Sequence, residues 1–397
     1  MDRALLISPE NPFPADSGGR LRLRGIVEVL AQRFALDLLT YDRPGHADLE
    51  QARARLNVIQ VSRTVSRGLA ALRSLYRRRP AGYMGHADLD MLEPARALCR
   101  TSRYHTVVVD NTQLGYFLPV LRRLQPDARL VVLAHNFESG LCEQLAAWQP
   151  PGPRRALYAW SAWQTRRHEI EVCRQADLLV CTSPGEAAAF AALHPPVAAR
   201  TVVVPSCIDA RHYGAFRRMT PRPATLVFPG DMAYFPNVAG ARFFVDAVLP
   251  LVRRRVPQVS LRLVGRTPHP SLVALAAADP GIVVTGAVDL AAAHIADGQV
   301  VVVPLLHGSG TRLKILEAWA VDRPVVSTTK GCEGLVCRDG DELLVADRPE
   351  AFADAVCRLL DDHALAGRLV RRARHTLLTH YDVRVLPSAL AAIVGDE

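Results

Sequence analysis

The stretch Val300–Leu335, VVVVPLLHGSGTRLKILEAWAVDRPVVSTTKGCEGL, decides the fold of this chain. It opens on four consecutive valines, a run that favours a parallel strand covered on both faces. A glycine-rich turn, residues 307–311, comes next, and a helix is expected after it. Gly308 and Gly310 allow the turn to adopt positive φ and to approach a ligand closely. A strand, a turn and a helix in this order are typical of a doubly wound α/β domain.

The start of the expected helix is predicted to bind a phosphate. The first N–H groups of a helix have no partner within it, and the helix dipole favours an anion at that end. Arg312 and Lys314 add two positive charges in the first turn, and Glu317 shares a helix face with Lys314. We expect the cations to hold a diphosphate and Glu317 to accept hydrogen bonds from ribose hydroxyls. The alternative is a plain glycine-rich connection with charged side chains on the surface.

Lysine usage supports the phosphate hypothesis. Lysine and arginine together number 48, and the only lysines are Lys314 and Lys330, which leaves 48 − 2 = 46 arginines. A chain so biased toward arginine retains lysine where a compact ammonium group matters, or by chance. Both lysines lie in the stretch quoted above.

Composition limits the classes of protein to consider. A chain of 397 residues fits two domains of roughly 200 residues, each able to bury its own core. A net charge of +9 favours polyanionic partners such as nucleotide diphosphates, acidic glycans or anionic membranes. Nucleic acid is disfavoured because no zinc-finger spacing or basic tail is present and only 6% of residues are aromatic.

The eight cysteines show no C-x-x-C pair and no histidine-rich neighbourhood, which argues against a structural zinc site. Several lie in apolar runs, where a reduced thiol acts as a small hydrophobic group. The expected location is therefore the reducing cytoplasm. The N-terminal sequence has no signal-peptide core, and no segment has about 18 consecutive apolar residues, so we expect no membrane-spanning helix.

Apolar runs of strand length form two series separated by helical patterns, which predicts two parallel sheets flanked by helices. The first series is Ala4 to Ser8, Leu36 to Tyr41, Val58 to Val61, Thr106 to Asp110, Leu130 to Ala134, Leu178 to Thr182 and Thr201 to Val204. The second is Thr225 to Phe228, Leu261 to Val264, Ile282 to Thr285, Val300 to Val303, Val325 to Ser327 and Leu343 to Val345. The stretch between them, with Pro221 and Pro223, is predicted to be a linker.

These motifs together resemble a known family. The pattern G-x-G-x-R-x-K-I-L-E-A from Gly308, followed by P-V-V-S-T and G-x-E-G-L, is similar to the donor-binding half of retaining, family 4-type glycosyltransferases of group 1. The resemblance covers most of the chain and extends to residues 12–19, His135-Asn136, residues 204–209, residues 228–231 and Pro236-Asn237.

The resemblance implies the GT-B fold, an α/β architecture of two Rossmann-like, doubly wound parallel-sheet domains that face a central cleft. The expected domains are 1–205 for the acceptor, a linker at 206–223 and 224–387 for the donor. Residues 388–397 are expected to cross back as a helix to the N-terminal domain.

The resemblance also implies roles for individual residues. Catalytic roles fall on His135, which would contact the transferring sugar or orient the acceptor, and on Arg312 and Lys314, which would stabilise the leaving phosphate. Glu138 and Asp110 are weaker candidates at strand ends. Donor binding is assigned to Gly18, Gly19, Gly230, Gly308, Ser309, Gly310, Thr311, Glu317, Glu333 and Gly334. Gly18 and Gly19 are expected to end a turn, residues 12–19, that precedes a helix beginning near Arg20, with Arg20, Arg22 and Arg24 close by.

This chain departs from the family pattern at three places. Asp231 follows Gly230 where relatives usually have a cation, so Arg266 is a candidate substitute. Ser309 occupies the position of the first of two glutamates, of which Glu317 is the second. Cys207 and Ser206 replace a glycine and an asparagine of the motif before the second domain, a change for which we have no physical account.

The expected activity is transfer of a hexosyl unit from a nucleotide-diphosphate sugar to a hydroxyl of a glycan, a lipid-linked molecule or a small molecule. Neither a cofactor nor a metal is expected, because the cations of the protein neutralise the diphosphate. Two alternatives stay open: a nucleotide-sugar epimerase, and a non-catalytic nucleotide-binding partner of another transferase. The apolar and basic residues 67–79 suggest peripheral contact with an anionic membrane.

Overall fold

The computed structural model describes residues 1–13, 18–41, 50, 52–53, 55–62 and 89–394. The predicted membrane-contact stretch 67–79 and part of the predicted turn 12–19 lie outside the described residues. The described chain divides into two compact units, which we call the first unit, residues 1–206 with 386–397, and the second unit, residues 207–385.

The first unit is built on a seven-stranded sheet in which every pairing is parallel. Its strands are β1 (Arg3–Ile7), β2 (Ala35–Tyr41), β3 (Asn57–Val61), β4 (Thr106–Asp110), β5 (Arg129–Leu133), β6 (Leu178–Cys181) and β7 (Thr201–Val203). Their spatial order is β3-β2-β1-β4-β5-β6-β7, the order of a doubly wound sheet whose winding reverses between β1 and β4.

Helices of the first unit connect these strands, because parallel neighbours require a crossover. They are α1 (Gly18–Arg33), α2 (Leu89–Thr101), α3 (Leu118–Leu124), α4 (Glu138–Trp148), α5 (Pro153–Gln175) and α6 (Pro184–Leu193). Strand β4 is buried along its whole length, as its valine run predicts.

The second unit repeats the plan with six parallel strands. They are β8 (Thr225–Pro229), β9 (Ser260–Val264), β10 (Ile282–Val284), β11 (Val300–Val303), β12 (Val325–Ser327) and β13 (Leu344–Val345). The order is β10-β9-β8-β11-β12-β13, so the winding reverses between β8 and β11. The expected fold class is therefore confirmed, and each predicted strand is present with bounds that differ by at most one residue at either end.

The helices of the second unit are α7 (Phe235–Phe243), α8 (Leu249–Arg255), α9 (Pro270–Ala278), α10 (Ala291–Asp297), α11 (Leu313–Ala320), α12 (Thr329–Cys332), α13 (Pro349–Asp361) and α14 (His363–His380). The stretch Phe235–Arg255 is long and apolar enough to cross a membrane by length and composition, but 56% of it is buried. Val238, Phe244 and Val252 pack in the core of the unit. We therefore interpret this stretch as a core helix.

The predicted linker and the C-terminal helices both pack against one of the two units. Most of the predicted linker 206–223 belongs to the second unit, where Ile208 and Tyr213 are buried in its core. The last helices, α15 (Leu386–Ala389) and α16 (Ala391–Val394), group with the first unit, and Arg129 donates a 2.6 Å hydrogen bond to the carbonyl of Ala392.

Candidate functional site

Ligands of doubly wound sheets bind beyond the carboxyl ends of the strands, where the winding reverses. In the second unit this point lies between β8, which ends next to Gly230, and β11, which leads into the loop 308–312. Gly230 has φ +155°, and a Cβ there would lie 2.7 Å from Asn237 Nδ2 and 3.0 Å from Lys314 Nζ. Glycine is therefore favoured at this position. The structure places Gly230 beside Lys314, and both were predicted to take part in donor binding or transfer.

Lys314 is held by side chains from two other elements. Its Nζ donates a 2.5 Å hydrogen bond to Asn237 Oδ1 on α7 and lies 4.6 Å from the ring centre of Phe228 on β8. Asn237 in turn donates a 2.8 Å hydrogen bond to the carbonyl of Asp231. Burial lowers the pKa of Lys314 to about 7, with a further decrease from Arg312 that Glu317 partly opposes. An anion placed beside Nζ would restore the positive charge of this lysine.

Glu317, one turn along α11, shows the complementary shift. Burial raises its pKa to about 7, although the hydrogen bond from Tyr213 and the charge of Lys314 act to lower it. The Tyr213 hydroxyl donates to Glu317 Oε1 over 3.2 Å. A carboxyl held in this way can accept hydrogen bonds from ligand hydroxyls. We call Gly230, Asn237, Lys314, Glu317 and Tyr213 the lysine cluster.

The loop 308–312 connects the lysine cluster to the residues after β12. Gly308 and Gly310 have φ +127° and +79°, which confirms that this turn uses the conformational freedom of glycine. Arg312 is buried, and its guanidinium donates to the carbonyls of Ser309 and Lys330, the latter over 3.2 Å. The same guanidinium lies 3.2 Å from the position of a Cβ on Gly308.

Glu333 and Gly334 belong to the same neighbourhood. Glu333 Oε2 is 3.8 Å from Arg312 Nη2 and 2.5 Å from Lys330 Nζ. Gly334 has φ +83°, so the chain reverses directly after Glu333. The predicted donor residues of the second unit therefore form one connected group, although their positions are 104 residues apart in the sequence at the widest, from Gly230 to Gly334.

The start of α11 differs in one respect from the sequence-based expectation. The helix begins at Leu313, and the N–H groups of Leu313 and Ile315 donate to the carbonyls of Thr311 and Arg312 over 3.1 and 2.9 Å. The tight glycine turn thus uses N–H groups that were expected to be available to an anion. Positive charge at this site comes chiefly from the Lys314 and Arg312 side chains.

Asp231, which stands where the family usually has a cation, lies beside Arg266. Arg266 Nε lies 3.8 Å from Asp231 Oδ2, and both side chains are close to half exposed. The Thr267 hydroxyl also donates to Asp231 Oδ1 over 3.2 Å. The candidate substitute Arg266 is therefore placed beside Asp231 rather than in contact with Lys314.

In the first unit, the winding reverses between β1 and β4, and polar side chains gather there. The register pairs Ile7 with Val109, which places Ser8 beside Asp110. The Ser8 hydroxyl donates to Asp110 Oδ2 over 2.7 Å, and His135 Nε2 lies 2.5 Å from Asp110 Oδ1. Burial acts to raise the pKa of Asp110, but His135, Ser8 and Arg22 hold it below its usual value. An ionised Asp110 fixes the orientation of the His135 ring.

Helix α1 brings a buried arginine to the same histidine. Arg22 Nη1 donates to the carbonyl of Ala134 over 3.2 Å and lies 3.4 Å from His135 Nδ1. The helix begins at Gly18, so Gly18 and Gly19 form its first turn, whereas the sequence suggested a turn before a helix near Arg20. The two glycines therefore form the start of the helix that carries Arg22.

Glu138, the weaker candidate next to His135, opens helix α4. Burial raises its pKa, while the 3.2 Å hydrogen bond from Asn136 Nδ2 acts in the opposite direction. Glu169 on α5 accepts hydrogen bonds from the N–H groups of Glu138 and Ser139 over 2.8 and 3.2 Å. It therefore caps the N-terminus of the helix on which Glu138 lies.

Three residues contact these sites in ways that the sequence does not predict: Tyr213, Glu169 and Arg22. Tyr213 lies in the stretch predicted to be a linker, and Glu169 lies mid-helix, where a glutamate is usually exposed. Arg22 was named only as one of several arginines near the glycine turn. The one feature of the sequence that points to a role for Arg22 is its position one turn into the helix that follows the first strand.

Comparison with known proteins agrees with the geometry of both units. Residues 17–207 match the model of the "Glycosyl transferase 4-like domain", and residues 223–362 match "Glycosyl transferases group 1". The chain belongs to the group 1 glycosyltransferases. The chain is similar to an uncharacterized 44.6 kDa protein in the cps region of Klebsiella pneumoniae, 21% identical over 89% of each chain. Glycogen synthase of Mycobacterium tuberculosis is 29% identical over 67% of this chain and 63% of that one.

Solved structures with the same architecture are glycosyltransferases of the GT-B fold. Sucrose-phosphate synthase from Thermosynechococcus elongatus superimposes with a TM-score of 0.73 at 18% identity, covering 99% of this chain and 98% of that one. Anabaena Alr3699/HepE in complex with UDP-glucose gives a TM-score of 0.70 at 13% identity, with 99% of both chains covered. At these identities the likeness establishes the GT-B fold of this group 1 glycosyltransferase.

Proposed function

We propose that this protein is a retaining glycosyltransferase that moves a hexosyl unit from a nucleotide-diphosphate sugar to a hydroxyl of a glycan, lipid-linked or small-molecule acceptor. The observation that carries the proposal is the lysine cluster at the winding reversal of the second unit. It combines a lysine of lowered pKa, a carboxyl of raised pKa and a backbone conformation at Gly230 that favours glycine.

The chemistry follows from these groups. Cleavage of the bond between sugar and diphosphate leaves negative charge on the departing phosphate, and fixed cations in a partly dry site stabilise that charge. Lys314 regains its proton beside the phosphate, and Arg312 holds the loop with Ser309 and Thr311 in place. Glu317 accepts hydrogen bonds from ribose hydroxyls. These cations take the role that a bound metal ion has in other nucleotide-dependent enzymes, so we propose that neither a metal nor another cofactor is required.

We assign His135 to the transferring sugar or the acceptor hydroxyl, as the family resemblance implies. Asp110 fixes the ring through a 2.5 Å contact at Nε2, so a sugar or acceptor hydroxyl would bind at Nδ1 in place of the 3.4 Å contact with Arg22. The described residues offer no obvious nucleophile for a covalent intermediate at this histidine. We therefore propose a front-side route in which the leaving phosphate takes the proton of the acceptor.

The experiment is a panel of UDP-, GDP-, ADP- and dTDP-sugars followed by ¹H NMR of the anomeric proton. Transfer to water reports the reaction without a known acceptor, and spectra taken at high protein concentration in the first minutes record the released anomer before it mutarotates. We expect one donor to be consumed with retention of its anomeric configuration, and His135→Ala to reduce the rate. Inversion would contradict the retaining assignment. An unchanged rate in His135→Ala would show that the histidine is structural.

One alternative is favoured by a specific observation. Asp231 places a carboxylate where relatives usually have a cation, and its partner Arg266 is close to half exposed. A non-catalytic protein that binds nucleotide and activates another subunit would tolerate this change. Binding of a nucleotide diphosphate without consumption of any donor in the panel would support that reading, and conversion of the donor sugar without transfer would support an epimerase.

We also propose peripheral contact with an anionic membrane, supported by the helix pair α4 and α5. Trp148, Leu157, Trp160 and Trp163 are between 37% and 53% exposed there, whereas Trp319, the fourth tryptophan, is buried. Leu157, Trp160 and Trp163 follow one another at three-residue spacing, so they share one side of α5. Tryptophan and arginine side by side are typical of helices that lie at a membrane surface.

Charge complementarity favours an anionic surface over a second copy of the chain. Arg154 and Arg155 lie in the first turn of α5, Arg166 and Arg167 lie about three turns later, and the guanidinium of Arg167 is 4.9 Å from the ring centre of Trp163. Glu143 offsets one of these charges through a 3.8 Å contact with Arg166. Two such surfaces would repel each other. The eight free cysteines are consistent with the cytoplasmic side of such a membrane.

Co-sedimentation with phosphatidylglycerol vesicles tests this contact. We expect the wild-type protein to bind anionic but not phosphatidylcholine vesicles, and Trp160→Ser with Trp163→Ser to abolish binding. Leu290→Ser, at a residue 58% exposed in the second unit, is the matched control. Equal binding by both variants, or self-association that Trp160→Ser removes, would overturn the membrane assignment.

A further inference from the structure

The loop that holds Glu333 and Gly334 is bounded by two cysteines. Cys332 ends helix α12, and Cys337 follows five residues later. The N–H of Leu335 donates to the carbonyl of Cys332 over 3.1 Å, and Gly334 has φ +83°, so the chain turns back on itself between the two cysteines. Across this turn the Cys337 thiol donates a hydrogen bond to the Cys332 sulfur, and the Cys332 thiol donates to the carbonyl of Thr329 over 3.6 Å.

This pair differs from the other cysteines of the chain in its access to solvent. Cys332 and Cys337 are partly exposed, whereas five of the remaining six cysteines are buried and Cys142 alone is also partly exposed. A small thiol reagent can therefore reach the pair without unfolding of the second unit. The hydrogen bond from Cys337 lowers the pKa of Cys332, which gives its sulfur thiolate character.

We propose that Cys332 and Cys337 form a thiol-oxidation site that reacts with low-molecular-weight disulfides and closes a disulfide across residues 333–336. The Cys332 thiolate attacks one sulfur of the small disulfide, which releases one small thiol and leaves a mixed disulfide. The Cys337 sulfur, after loss of its proton, attacks the Cys332 sulfur and releases the second small thiol. In sum, two protein thiols are oxidised and one small disulfide is reduced to two thiols.

The site is coupled to donor binding through Glu333, a consequence that rests on the proposed function. Closing the disulfide brings the two sulfurs to about 2 Å, closer than two thiols in hydrogen-bonding contact. The chain between them carries Glu333, which contacts Lys330 and Arg312, and Val336, whose N–H donates a 2.6 Å hydrogen bond to the Tyr381 hydroxyl. We expect the oxidised loop to shift Glu333 from these cations and to weaken donor binding severalfold.

The covalent step has a direct readout. Trypsin cleavage after Lys330 and Arg338 releases the peptide GCEGLVCR, which contains both cysteines. The protein is equilibrated with glutathione buffers of increasing disulfide content, quenched with an alkylating reagent under denaturing conditions, digested and analysed by mass spectrometry. We expect the wild-type peptide to lose two hydrogens and escape alkylation at ratios where the peptide with Cys142 is still alkylated. Cys142→Ser should leave this result unchanged.

Three outcomes would overturn the proposal. The first is a peptide that stays reduced while Cys142 is oxidised, and the second is separate glutathione adducts on both cysteines without a disulfide. The third is a Cys332→Ser protein in which Cys337 is glutathionylated as readily as Cys332 is in Cys337→Ser, because then Cys332 is not the attacking thiol. These results do not depend on donor binding, so they remain informative if the proposed function fails.

The coupling is tested by calorimetric titration of a nucleotide-diphosphate sugar into the reduced and oxidised protein. Severalfold weaker binding after oxidation, reversed by dithiothreitol and absent in Cys337→Ser, supports the coupling. Equal affinity in both states would overturn it. Absence of binding by the reduced protein to every donor would instead contradict the proposed function.

Discussion

At the scale of single residues, the defining feature is a lysine of lowered pKa and a glutamate of raised pKa on one helix. Lys314 and Glu317 both have a pKa of about 7, chiefly because both are buried. Their spacing on one helix face was predictable from the sequence. Asn237 and Tyr213, which hold them, lie 77 and 104 residues away, and such contacts depend on tertiary packing that local spacing does not report.

The lowered pKa of Lys314 predicts a pH dependence of donor binding. Between about pH 7.5 and pH 8.5 the free lysine is largely neutral, and a bound diphosphate favours its charged form. Binding therefore takes up a proton, and affinity should fall by up to about tenfold per pH unit as pH rises. Glu317, with a pKa of about 7, is mostly ionised in this range and should contribute less than Lys314. A nucleotide-diphosphate sugar is the suitable ligand because its phosphates carry no proton there.

Lys314→Arg is the matched control, since arginine stays charged throughout this range. Calorimetric titrations at several pH values should show a slope for the wild-type protein and none for the variant. The same slope in both proteins would mean that another group titrates.

Asn237→Asp should shift this profile to higher pH. A carboxylate 2.5 Å from Lys314 Nζ would favour the ammonium form and raise the lysine pKa. Between about pH 7.5 and pH 8.5, donor affinity should then fall less steeply with pH in the variant than in the wild-type protein. If the profile does not move, the hydrogen bond between Asn237 and Lys314 has no part in setting the charge of the lysine.

At the scale of elements, both candidate sites lie where strand ends and helix starts meet. The strands were predictable because buried parallel strands are continuous apolar runs, as in β4 and β11. Helix starts were harder to place. The sequence predicts a turn at Gly18 and Gly19, but these residues open α1, because glycine in a first helical turn and glycine in a loop have the same local pattern. The cap on α4 comes from Glu169 on another helix, which no local pattern indicates.

Glu169→Gln should lower the free energy of unfolding of the first unit by roughly 1–3 kcal/mol, because a buried donor at the start of α4 loses its acceptor. Glu169 accepts from the N–H groups of Glu138 and Ser139, and an amide oxygen cannot serve both as well. Urea denaturation followed by circular dichroism measures the change. Glu171→Gln, on an exposed part of the same helix, should change stability little. Equal effects of the two substitutions would refute the capping role.

At the scale of the whole molecule, two parallel sheets of the same plan each place polar residues at the reversal of winding. The sequence predicts this duplication because its two series of strands are separated by a break in periodicity. It does not predict that the break itself is packed, with Ile208 and Tyr213 in the core of the second unit. Burial of isolated apolar residues in an irregular segment depends on the sheet beside it.

The most direct test of the central claim, that the lysine cluster binds the donor diphosphate, is calorimetric titration of UDP, GDP, ADP and dTDP into the wild-type protein and Lys314→Ala. We predict that one nucleoside diphosphate binds the wild-type protein and that the variant binds it at least about tenfold more weakly, since a charged contact to a phosphate typically contributes this much. Equal affinity in the two proteins would contradict the claim.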